Sequence, residues 1–125
     1  QVFGFRDDDE PNPMTVAMKE KLQAAGMQVY HGTHVLSGAE RGLSNRFQGV
    51  YPVEIIANTL RMFSQGVKVG VEISVMALDA GLIPKKTPVI AIAGSGRGAD
   101  TASVIIPAHA QRILETKVVE IICKP

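Results

Sequence analysis

Tryptophan is absent from the chain, aromatic residues make up only 5%, and there is a single cysteine, Cys123, among 125 residues. A lone cysteine excludes an intrachain disulfide, so a disulfide-stapled secreted scaffold is ruled out. No apolar run reaches the roughly 18–20 residues that a membrane span requires. Neither sign of charge dominates: 13 basic residues stand against 12 acidic ones with no basic stripe, which removes the electrostatic footprint expected of a nucleic-acid binder. These features point to a cytoplasmic protein without a nucleic-acid or membrane partner. With 46% hydrophobic residues, the core is expected to be built from Val, Ile, Leu, Ala and Met. The length suits one domain that buries roughly two thirds of its unfolded surface. No repeat or linker divides residues 1–125.

What the chain does have is glycine in the right company. Three of its 12 glycines surround one arginine in Gly94-Ser95-Gly96-Arg97-Gly98, directly after the apolar run Pro88–Ile92. Glycines reach positive φ and bring N–H groups close to a ligand, and successive N–H groups in such a turn make a concave anion site. A guanidinium adds a fork of donors that matches phosphate or carboxylate oxygens. The alternative is a plain connection in which Arg97 pairs with Asp100. A dinucleotide fingerprint is excluded, because the next residues, Ala102–Pro107, are short, β-branched and stopped by proline, where that motif needs a helix. A triphosphate P-loop is excluded as well, since no Gly-Lys-Ser/Thr follows.

Along the chain, Val2–Phe5 reads as the end of a strand and Arg6–Pro11 as an acidic, solvated turn. Its four carboxylates lack the spacing and the glycine of a cation loop. Asn12 as cap and Pro13 at the first helical position open an amphipathic helix that carries Met14, Ala17, Met18, Leu22 and Ala25 on one face and ends at Gly26. Met27–Tyr30 reads as a short buried strand. The segment His31–Arg46, rich in glycine, hydroxyls and charge, sits where open α/β sheets bind ligands. His31 and His34 lie three apart with no cysteine or second pair nearby, which argues for loop histidines over a metal site. His34 and Glu40 are the candidate acid or base groups, though no nucleophile accompanies them. A second helix opens at Pro52 with Val53, Ile56, Leu60 and Phe63 inward and stops at Gly66. Val67, Val69, Val71, Ile73 and Val75 alternate as in a strand, whereas Val75–Gly81 resembles a helix with a glycine stop, so the pattern leaves that segment open. Pro88–Ala93, Thr101–Pro107 and Val118–Cys123 read as strands, with a helical turn at His109–Leu114.

Several of these stretches, in this order, carry a resemblance: His34–Arg41, Val69–Gly81, Gly94–Thr101, Pro107–His109 and Glu120–Pro125. Together they resemble the pyruvate kinase C-terminal-domain-like family, stand-alone prokaryotic proteins similar to the regulatory domain of pyruvate kinase. The resemblance implies a three-layer α/β/α fold with a mostly parallel sheet and an antiparallel edge strand, and it implies a helix over Val67–Ala80. It further implies that Ser95, Gly96 and Arg97 hold the anion of a phosphate-bearing ligand, with flavin mononucleotide as the candidate cofactor; no metal is expected, from the histidine spacing above. In pyruvate kinase a helix follows the similar turn, whereas here an apparent strand does, which removes the helix-dipole part of phosphate binding.

The candidate ligand residues are therefore Gly94, Ser95, Gly96, Arg97, Gly98 and Thr101 in the glycine turn, with His34, Ser37 and Gly38 lining the pocket. The leading expectation is a small-molecule binding domain. The alternatives are an enzyme using His34 or Glu40, and a regulatory or assembly module without a ligand. Family members begin with a strand, a helix and a second strand that find no counterpart here. The domain is accordingly expected to be incomplete at its amino-terminal end, and to form a homo-oligomer or take a companion chain.

Overall fold

The computed structural model describes residues 14–125. The expected strand at Val2–Phe5, the acidic turn and the Asn12–Pro13 helix start lie outside the described residues. The elements are α1 (Val16–Ala24), α2 (Gly38–Phe47), α3 (Pro52–Arg61), α4 (Gln65–Asp79), β1 (Val89–Ala93), β2 (Thr101–Ile106), a 3-10 turn at Ala110–Glu115 and β3 (Lys117–Cys123). The protein is thus mixed α/β. Its three described strands form an antiparallel sheet in the order β1-β2-β3. Met27–Tyr30, expected as a strand, belongs to none of these strands.

α4 is the element around which the rest is arranged. Its alternating valines suit a strand, but ten of its 15 residues are buried, a wider face than one helical stripe. Neighbours on two sides explain that width: the sheet takes one side and α3 another. Ser64 caps the start by accepting the Val67 N–H at 3.0 Å, and Gly81, at φ +70°, ends the helix as its sequence position suggests. Alternate residues of the hairpin face α4. Ala91 and Ala93 from β1 and Thr101, Ser103 and Ile105 from β2 are buried, while Ile90 and Ile92 on the other side are more than 60% exposed.

Two glycines let α4 come this close. A Cβ on Gly66 would overlap the Thr101 side chain, so the residue read from sequence as a helix stop is a packing glycine inside α4. Gly70 lies over Ala91 and Ile105, which with Val71 form the centre of the core.

Elsewhere the local signals divide. α1 is capped by Thr15, whose hydroxyl accepts the Met18 N–H at 3.2 Å, and it ends at Gly26 as expected. Its apolar face is largely open, with Met18 48% exposed and no residue of the helix buried. α3 starts at Pro52 as expected, although Phe63 points outward. The segment His31–Arg46, assigned no helix from the sequence, becomes helical at Gly38. Leu36, 2% exposed, anchors that stretch in the interior, and Glu40 in the first turn of α2 ties it to the start of α3.

Candidate functional site

The most chemically loaded point of the interior is Glu72. It sits on α4 one turn past Lys68, fully buried, and its two oxygens accept from three separate donors. Lys68 Nζ lies 2.6 Å from Oε2, His34 Nδ1 lies 2.8 Å from Oε2, and the Leu36 backbone N–H donates to Oε1 at 3.0 Å. Burial pushes the Glu72 carboxyl up, but the hydrogen bonds from His34 and Lys68 and the Lys68 charge outweigh it and hold the pKa below the ordinary value. An ionised carboxylate only accepts, so the His34 proton sits on Nδ1 and the ring's basic lone pair falls to Nε2.

This cluster forms one wall of a cleft of about 330 Å³ between the 34–37 segment, α3 and α4. His34, Ser37, Arg41, Arg61, Gln65 and Lys68 all contribute to its lining. Arg61 is positioned by neutral partners, donating to Gln65 Oε1 and Asn58 Oδ1 at 2.8 Å each, and makes no ion pair among the described residues, although Glu54 also lines the cleft. Glu40 has a different duty. Its Oε2 accepts the Val53 and Glu54 N–H groups at 2.8 and 3.3 Å and caps the start of α3. A volume near the lower end of small-molecule pockets, with Arg41 and Arg61 outnumbering Glu54 in its lining and Lys68 already paired with Glu72, suits a compact anionic group.

The glycine turn joins β1 to β2 as the head of a hairpin, closed by the Asp100 N–H donating to the Ala93 carbonyl at 3.0 Å. Gly96 and Gly98 have φ of +91° and +111°, which L-residues with side chains rarely adopt. Gly94 meets the Gly98 carbonyl where a Cβ would overlap it. Arg97 is exposed and makes no ion pair among the described residues. The Asp100 carboxylate, its suggested partner, instead accepts from Thr101 Oγ1 at 2.7 Å and Ser95 Oγ at 3.4 Å. Thr101 is 3% exposed and lies beneath Gly66, with its hydroxyl 3.3 Å from Ser64 Oγ.

Of the residues selected from sequence, His34 and Ser37 line the cleft, and Gly38 begins the helix beside it. None of Gly94–Thr101 lines that cleft. The two places nonetheless meet at the amino end of α4, because Gln65 borders the cleft while its neighbours Ser64 and Gly66 touch Thr101. Sequence reasoning missed Lys68 and Glu72. As a strand, the alternation places both among the polar positions between valines; as a helix, their i,i+4 spacing is the sign of an ion pair. Among the described residues no group of three or more His, Cys, Asp or Glu side chains could hold a metal, and no helix is long and apolar enough to cross a membrane.

No protein-family model matches the chain.

Proposed function

We propose that this chain is a small-molecule binding domain for a phosphate-bearing ligand lying across the amino end of α4. The observation that carries the reading is the convergence of two anion-suited features on Ser64–Gly66: the cleft with Arg61 on one side and, on the other, the glycine turn with Arg97, which makes no ion pair among the described residues. Flavin mononucleotide is the first ligand to test. Its phosphate end suits the charge of either place, and the cleft is small for a tricyclic ring as well. The fold proposed is the three-layer, pyruvate kinase C-terminal-domain-like arrangement with a mostly parallel sheet and an antiparallel edge strand, while the three described strands pair antiparallel throughout. Exposed Ile90 and Ile92 support self-association or a companion chain on that face.

An enzyme acting on the same ligand is the second reading, favoured by the carboxylate–imidazole pair of Glu72 and His34, which fixes the tautomer a general base requires. Glu40 is a weaker candidate for that role because its carboxylate caps α3.

Calorimetric titration with flavin mononucleotide and with riboflavin, its dephosphorylated form, tests the proposal. Wild type binds the phosphorylated ligand more tightly. Arg97→Ala or Arg61→Ala loses about ten- to a hundredfold in affinity, the effect of removing a charge-assisted hydrogen bond of roughly 1.5–3 kcal/mol. Equal affinity of both variants and wild type for the phosphorylated ligand refutes the reading.

A further inference from the structure

A second recess, of about 830 Å³, opens at the other end of α4, between Leu78, the 85–86 turn, the end of β2 and the 3-10 turn. It lies ten residues along the helix from Lys68, about 15 Å at the helical rise, and shares no lining residue with the cleft. Its floor is apolar, formed by buried Leu78 and Pro107 with half-buried Ile106, and Leu114 stands beside it 85% exposed.

The charges around that floor separate into two kinds. Arg112 is matched by Glu115 at 2.8 Å, and His109 by Asp79 at 2.7 Å. Lys85, Lys86 and Lys117 also line the recess, and none of the three makes an ion pair among the described residues. Lys86 holds φ +56°, a left-handed conformation in which glycine or asparagine is the usual occupant. A lysine at that position gives the turn a charge at a conformational cost, and costs of this kind gather at ligand sites.

We infer that this recess binds an amphiphilic anion: a molecule with an aliphatic or aromatic body for the Leu78–Ile106–Pro107 floor with Leu114 at its edge, and one carboxylate or sulfate for the three unmatched lysines. The apolar area supplies affinity and the lysines supply the sign of charge, because a neutral or cationic molecule with the same body leaves the lysines unanswered.

Titration of the isotopically labelled chain with octanoate, 1-octanol and octyltrimethylammonium, followed by NMR, tests this. The expected result is saturable octanoate binding with shift changes at Leu78, Ile106, Leu114 and Lys117, at least threefold tighter than 1-octanol and tighter still than the cation. Lys86→Gly is the informative variant, since glycine adopts the same φ without strain: thermal stability is kept or raised while octanoate affinity falls about two- to fivefold. Leu114→Ser, at a side chain that contributes little burial, lowers affinity for octanoate and 1-octanol alike. Equal binding of all three probes, shift changes centred on Ile90 and Ile92, absence of saturation, or unchanged octanoate affinity in Lys86→Gly each overturns the inference.

Discussion

Lys68 and Glu72, one helical turn apart on α4, form an ion pair with both side chains at most 5% exposed, so the pair is held inside the protein and not on its surface. Buried pairs of this kind differ from surface pairs in what their loss costs. Removing one partner strands the other charge away from water, at about 3–5 kcal/mol, whereas an exposed pair contributes at most about 1 kcal/mol.

The two partners are not equivalent. Glu72 serves Lys68, His34 and the Leu36 N–H together, whereas Lys68 serves Glu72. Glu72→Leu is therefore expected to cost more stability than Lys68→Met, which leaves Glu72 with His34 and Leu36. Urea unfolding of the two variants and of Lys68→Met combined with Glu72→Leu checks this, and the double variant is expected to be more stable than Glu72→Leu alone because no lysine is left unpaired. Equal losses in the two single variants would show that only the ion pair matters.

Acid sensitivity follows from the same carboxyl. The Glu72 pKa is lowered in the folded protein from an ordinary value of 4.5. Between the lowered and the ordinary value the unfolded chain binds more protons, so the stabilisation is fully present above about pH 4.5 and fades as pH falls through the folded value. Stability measured from pH 7 down to pH 3 is expected to fall in wild type, and the fall is expected to be shallower in Glu72→Gln. Parallel pH profiles would remove Glu72 as its source.

Two glycines four residues apart on α4 predict opposite signs for one substitution. At Gly66 a new Cβ overlaps Thr101, and Gly66→Ala is expected to destabilise by roughly 1–3 kcal/mol through overpacking. At Gly70 the new Cβ meets Ala91 and Ile105 at 3.5 and 3.6 Å, ordinary contact distances, and Gly70→Ala is expected to stabilise by about 0.5–1 kcal/mol through helix propensity. Thermal melts of the two variants in opposite directions confirm the packing; a loss at both positions would mean that α4 lies closer to the sheet than these distances state.

The readable parts of this sequence were those where local chemistry and tertiary surroundings agree. Pro88–Ala93 and Thr101–Pro107 are apolar, bounded by proline and glycine and joined by a glycine turn, and β1 and β2 form there as a hairpin. Of the candidate ligand residues, His34 and Ser37 border the cleft and Gly94–Thr101 do not. Only the end of α4, Val75 onward with its glycine stop, was legible from the residues themselves, because a helix buried on two sides loses the polar face that marks helical period, and the valines and isoleucine of its first part fall on alternate positions. α2 was hidden for the opposite reason: its glycines and serine have weak helix propensity, and what holds it in place is Leu36 in the core and the Glu40 contact with α3. Lys68 and Glu72 could not be recognised as a buried pair until the helix was known.

The Leu36 N–H bond to Glu72 makes one carboxylate the fastening of the whole 34–36 segment, side chain and backbone together. With no buried residue in α1 or α2, that fastening, Leu36 itself and the Glu40 contact with α3 are what hold the segment against opening. Amide exchange should therefore divide the chain into an outer unit of α1, the 34–36 segment and α2, which opens at low free energy, and an inner unit of α4 and the hairpin, which exchanges only on global unfolding. Because His34 belongs to the outer unit and Lys68 to the inner one, the cleft exists only while the two are closed, and a ligand seated between them would slow the exchange of the outer unit first.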